Sequence, residues 1–333
     1  MNNLIEIIKR HQLIAYFVLT YLFSWVLWIP LQQHVLDGQL GLRPLISLGI
    51  FAPALVGIGL SALLKPRPRQ DSHRQAAAIT FIAVWIISAL LILINQVVSE
   101  RLELSALLVG VSVVTALLPT LIVSSAFSNI PGVKAHLATY IRPRGALGYY
   151  LLALVLFPVI WLLGIVVSRA MEIPVSNYPV LDVKFLWTVI LFFLMNFIHG
   201  GLSEEPGWRG FALPRLQARF SPLVASLILG VLWAVWHAPA RLGGLEAKSL
   251  EDTLVEWLLI VVVTFLFTWL FNRTKGSLLA TALLHASMNT SSHFLPGSMA
   301  TLMIVVVFAM FVVVLDKMWR RLPNHEPINY IKS

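Results

Sequence analysis

No cysteine occurs in the 333-residue sequence. That absence excludes disulfides, thiolate metal sites, a cysteine nucleophile and cysteine-linked lipid anchors. Charge is scarce as well: Asp, Glu, Lys and Arg together make up 12%, about half the usual share of a soluble domain. A chain of this length with so little charge cannot cover itself with a water-compatible surface. A soluble globular enzyme, a disordered chain and a repeat solenoid are excluded together. No basic run exceeds a few residues, so the net charge of +9 points to loops beside anionic headgroups and not to nucleic acid.

What is present is apolar: 58% of the residues are hydrophobic. A helix needs about 20 apolar residues to cross the hydrocarbon core. The pattern predicts an all-α, polytopic transmembrane bundle of about ten membrane-associated helices, in a range of eight to ten. Spans are expected near 12–31, 44–64, 76–98, 105–127, 147–168, 185–203, 222–238, 254–271, 277–292 and 299–318. The N-terminal transmembrane helices occupy 1–146 and a C-terminal helical region 147–333, expected to act as one integrated membrane domain. The polar start, Met1 to His11, leads into an apolar stretch without a small-residue cleavage site, which reads as a retained span. With the N-terminus inside, 18 of the 24 basic residues fall in inside segments and 6 outside. That bias orients both termini to the cytoplasm. The short loops suggest a prokaryotic inner membrane. Pro53, Pro119 and Pro158 are expected to kink their spans, and KPRPRQDSHR at 65–74 reads as a proline-broken basic loop.

Ionisable groups inside spans are costly and ask for a reason. They gather in the C-terminal half: His199, Glu204, Glu205 and Arg209 end the sixth span, His237 lies in the seventh, and His285 and Asn289 lie in the ninth. Glu205 and Arg209 are four apart and can pair on one face. Glu204 points about 100° away from that face, which leaves it freer to handle protons. Pro206-Gly207 is expected to break the helix, a geometry tolerated at membrane depth only beside a cavity. Trp233 and His237 share a face, as do His285 and Asn289. Each motif alone has a plain reading: a charged cap, an interfacial histidine, an interhelical hydrogen bond.

Taken together and in order, Glu204-Glu205…Arg209, Trp233…His237 and His285…Asn289 resemble the CAAX-processing and bacteriocin-processing (CPBP, or Abi) family of intramembrane proteases. The words EEPGWRGFALPRLQ and WHAP are similar to bacterial members, and the resemblance covers roughly 185–292. One departure is Trp233, where the family motif usually has Phe. The resemblance implies an endopeptidase acting on a membrane-bound peptide or protein in the lipid bilayer. Glu204 and His237 would activate the water, His285 and Asn289 would form an oxyanion hole, and Glu205 and Arg209 would support them. A metal-free mechanism is favoured, because HExxH is absent and Asn289 suits an oxyanion better than a metal. The alternative is zinc held by Glu204, His237 and His285. Other readings are a non-proteolytic immunity or scaffold protein and a secondary transporter with broken helices. Straight spans set Glu204 and His237 near opposite membrane faces. The protease reading therefore requires displaced helices, with both residues at one depth around a water-filled cavity.

Overall fold

A computed structural model of the chain describes residues 2–65, 74–175 and 186–322. Most of the KPRPRQDSHR loop, and with it Arg67 and Arg69, lies outside the described residues, as do Lys184 and Lys332. Among the described residues there are helices and no strand. Among the described residues six helices have the length and apolar character to cross a membrane: Gln12–Leu36, Ala77–Val98, Ala106–Ser125, Leu147–Ala170, Leu186–Gln217 and Leu250–Arg273. A bent pair, Leu40–Ile50 and Ala52–Leu64, adds a seventh if it counts as one span. Pro222–Trp236 and Met299–Leu315 are shorter and apolar, and Leu278–Phe294 carries the His285 motif. The chain is an integral membrane protein built as a polytopic helical bundle.

The prolines act differently. Pro53 stands just after the 51° bend of the pair. Pro119 follows an interruption at Ala116, whereas Pro158 sits within an unbroken helix.

The Gln12–Leu36 helix is patterned inside out. Its buried residues, Leu13, Tyr16, Thr20, Ser24, Trp28, Gln32 and Val35, recur every three or four positions and include the polar ones. Its exposed residues include Ile14, Val18, Leu22, Val26 and Ile29. Such a helix turns aliphatic side chains to lipid and hydrogen-bonding ones to its neighbours. Trp25 Nε1 donates to Trp236 O at 3.0 Å, and Trp236 Nε1 donates to Ser24 Oγ at 2.8 Å. Tyr21 donates to the Leu232 carbonyl. These bonds fix the Pro222–Trp236 helix against the first helix.

One expectation is overturned. Pro206-Gly207 does not break the sixth helix, which runs from Leu186 to Gln217. The winding loosens instead to π geometry over Phe197–Leu202 and Pro206–Ala212. A proline lacks an amide hydrogen and its ring clashes with the carbonyl four residues back in α geometry. The winding widens on either side of Ser203–Glu205, which gives the chain room to pass the proline without a break. Tyr140 Oη donates to Gly201 O at 2.6 Å. His136 Nε2 donates to Pro206 O at 2.6 Å.

Continuity changes the depth of the motifs. Glu204 lies well before the end of its helix at Gln217 and Trp233 well into the returning one, and the Trp233 indole bonds the Glu204 carboxylate at 2.6 Å. The two helices run back to back through a short turn, so both residues reach a similar level. The span boundary expected at 203 was too early.

Candidate active site

Glu204, His237, His285 and Asn289 all line one cavity of about 230 Å³. His199, Gly200 and Asn196 of the Leu186–Gln217 helix line it too, with Trp28 and Gln32 from the first helix. The π turn at Phe197–Leu202 thus faces a cavity, where irregular winding is tolerated at membrane depth.

The two adjacent glutamates have different partners. Glu205 and Arg209 are fully buried and pair at 3.0 Å. The guanidinium lies between two aromatic faces, 4.1 Å from the Trp233 ring centroid and 4.2 Å from that of Phe267. Those faces favour a desolvated cation. Glu205 Oε1 also contacts His285 Nδ1 at 2.8 Å. The imidazole is then oriented with Nδ1 toward the carboxylate and its opposite edge toward Gly200. A Cβ at Gly200 would stand 2.7 Å from Cδ2 and Nε2 of His285. Only a glycine lets this ring approach the helix so closely.

Among the described residues Glu204 forms no salt bridge. Its Oε2 accepts from Trp233 Nε1 at 2.6 Å and from Trp208 Nε1 at 3.2 Å. Among the described residues no hydrogen bond reaches its Oε1.

His237 stands where the Pro222–Trp236 helix ends. Its amide bonds Ala234 O at 3.1 Å, one residue short of the α register. Trp233 O is released, and His237 Nδ1 donates to it at 2.9 Å. A carbonyl only accepts, so Nδ1 carries the hydrogen and a neutral ring leaves Nε2 as an acceptor. Trp233 therefore holds Glu204 with its indole and His237 with its carbonyl.

Asn289 Nδ2 donates to Asn196 Oδ1 at 3.1 Å, and Asn196 Nδ2 donates to Phe192 O at 2.8 Å. One Nδ2 hydrogen of Asn289 remains. The residues expected to work together are brought together, with one addition: His285 is tied to Glu205 as well as lying near Asn289.

Among the described residues, no three His, Asp or Glu side chains are grouped to hold a metal ion. Two indole N–H groups also point at Glu204 Oε2, where a cation would meet donor hydrogens.

Several contributors escaped the sequence reading. Trp208 and Trp233 were visible only as aromatics, and the direction of their N–H groups follows from the helix hairpin. Asn196 had a signal, as a lone amide in an apolar span, and so did Arg241 and Glu256, which also line the cavity.

Residues 186–291 match the model of the Rce1-like family, the type II CAAX prenyl endopeptidases. Over 98 residues the chain is 29% identical to CAAX prenyl protease 2 of Methanococcus maripaludis. That similarity covers 28% of this chain and 36% of the archaeal one, so it spans about a third of the curated relative's length. The matched segment contains every residue of the three motifs, and the resemblance they carry and the match agree: over about a third of its length the chain is similar to the CPBP/CAAX proteases.

Proposed function

We propose that the protein is an intramembrane endopeptidase that hydrolyses a peptide bond of a membrane-associated substrate without a metal. The observation that carries this reading is the convergence of Glu204, His237, His285 and Asn289 on one cavity. A water between Glu204 Oε1 and His237 Nε2 gives its proton to Glu204, and its oxygen bonds the substrate carbonyl carbon. The carbonyl electrons move to oxygen. The free Nδ2 hydrogen of Asn289 and an Nε2 hydrogen of His285 receive that oxyanion. For His285 to donate there, it works as the imidazolium, its Nδ1 hydrogen held by Glu205. Collapse breaks the C–N bond, and Glu204 returns its proton to the leaving amine. Atoms and charges balance without an external reagent.

The curated relative's name supports a prenylated CAAX-type protein or peptide as the substrate class. The bias of basic residues supports a cell membrane location with both termini cytoplasmic. Cells producing the wild type are compared with cells producing Glu204→Ala for peptides released from the membrane. A peptide found only with the wild type is expected; identical peptide sets at equal protein levels would overturn the proposal. Purified protein is expected to keep its activity after exhaustive chelation. Activity lost to the chelator and restored by zinc would reverse the metal-free reading.

A further inference from the structure

The cavity that holds the four motif residues continues to a cation that the mechanism does not use. Arg241 follows His237 by one helical turn, and its amide donates to His237 O at 3.1 Å. Residues so spaced have Cβ atoms about 5–6 Å apart. Arg241 lines the same cavity as Glu204 and His237. Its backbone is hydrogen-bonded on both sides. Lys248 N donates to Arg241 O at 2.9 Å. Gln32 of the first helix bonds the chain before and after Arg241, donating to Pro239 O at 3.4 Å and accepting from Leu245 N at 3.1 Å.

The partners of Arg241 are unequal. Nη2 bonds Glu256 at 2.6 Å, a residue of the Leu250–Arg273 helix whose side chain is 20% exposed and also held by Lys248 at 2.8 Å. Nη1 pairs with Glu246, whose side chain is 58% exposed against 14% for Arg241 itself. Nε is buried and has no hydrogen-bond partner. Glu256 is the fixed counter-ion. Glu246, on an exposed loop, is a carboxylate that another carboxylate can replace. An arginine recognises a carboxylate with several N–H donors in a fixed plane.

We propose that Arg241 docks the C-terminal carboxylate of the substrate and that Glu246 occupies that place until the substrate arrives. This rests on the endopeptidase reading and deepens it. A carboxylate held one turn beyond His237 puts the bond under attack a few residues from the chain end. The site then selects a substrate by its free C-terminus, and the fragment it releases is short. A purely structural role for the Arg241–Glu246–Glu256 cluster predicts no such selection.

Two reporter peptides test this, identical in sequence and lipid group, one ending in a free carboxylate and the other in an amide. Cleavage is measured with the purified protein in lipid vesicles, and binding with the Glu204→Gln protein. The wild type is expected to prefer the acid by about tenfold or more in kcat/KM, the worth of a charge-assisted hydrogen bond. In Arg241→Gln that preference is expected to vanish, and Glu246→Gln is expected to lower KM for the acid. Equal cleavage of acid and amide by the wild type would overturn the proposal, as would a preference that survives Arg241→Gln. If neither peptide is cut, binding decides. An acid preference lost in Glu204→Gln/Arg241→Gln keeps the carboxylate site and rejects the protease, whereas equal binding of both peptides rejects the carboxylate site.

Discussion

Trp233→Phe separates the hydrogen bond from the packing at the residue that holds both halves of the proposed water site. Phenylalanine keeps a ring for the Arg209 guanidinium, 4.1 Å from the Trp233 centroid, and keeps the backbone carbonyl that orients His237. What it removes is the N–H that reaches Glu204 Oε2 at 2.6 Å. A hydrogen bond to a charged group is worth about 1.5–3 kcal/mol. If that bond sets the aim of Glu204, kcat falls roughly 10- to 150-fold. The aim of the carboxylate matters in the reaction more than in substrate binding, so KM changes little. Trp208→Phe is the internal comparison. It removes a donor to the same oxygen at 3.2 Å, and the weaker bond predicts a smaller loss, below about tenfold. Both variants are assayed in lipid vesicles with a quenched fluorogenic peptide bearing a farnesylated cysteine near a free C-terminus. Thermal unfolding followed by tryptophan emission checks that each variant is folded. A folded Trp233→Phe with the wild-type kcat would refute the positioning role, and a larger defect in Trp208→Phe would refute the argument from distance.

Gly200→Ala puts a methyl 2.7 Å from the His285 ring; overpacking of this kind costs about 1–3 kcal/mol, and displacement of the ring from Glu205 is expected to lower kcat more than it lowers the melting temperature suggests. Arg209→Ala leaves Glu205 buried without its cation, and about 3–5 kcal/mol of stability is expected to be lost, seen as an earlier unfolding transition in detergent. Asn196→Ala frees the Asn289 amide to rotate; the loss of one neutral hydrogen bond, about 0.5–1.5 kcal/mol, predicts roughly a 2- to 10-fold fall in kcat at constant KM, and a wild-type kcat would remove Asn196 from the site.

Among the described residues, every stretch read as a span falls largely on helix, because a run of apolar residues in a chain this poor in charge has few other forms. The division between the glutamates was legible for a similar reason: 100° per residue separates any adjacent pair on a helix. Pro206-Gly207 misled because the rule for an α-helix interior does not cover a π turn. A sequence does not display Tyr140, sixty-odd residues upstream, as the donor that serves Gly201 O. The aromatic and polar stripe of the first helix, Tyr16, Thr20, Ser24, Trp28 and Gln32, was missed, although polar residues at helical spacing in a span mark its protein-facing side. Trp233 was harder. Its spacing to His237 puts the two on one face, but an indole donates along one direction. That this direction meets Glu204 depends on how far the returning helix has climbed, which turns on the unbroken helix that proline seemed to forbid.

The unbroken helix also explains how neighbouring carboxylates can coexist at this depth. Two adjacent anions in a low-dielectric site repel, and each needs its own stabilisation. The helix sends Glu205 toward Arg209 and His285, so its charge is compensated by a cation and its position fixed by two partners. It sends Glu204 toward two neutral indoles. Those N–H donors hold one oxygen without cancelling the charge, and among the described residues no hydrogen bond reaches the other, which leaves it for the proton-accepting role proposed above. Exchange of these partners would spoil both tasks: a guanidinium on Glu204 would occupy the group meant to take a proton, and indoles on Glu205 would leave Arg209 a buried cation without a counter-ion. The proposed assignment of base and support rests on which neighbour each glutamate meets, and the π turns on either side of Ser203–Glu205 carry the helix through the level at which those neighbours stand.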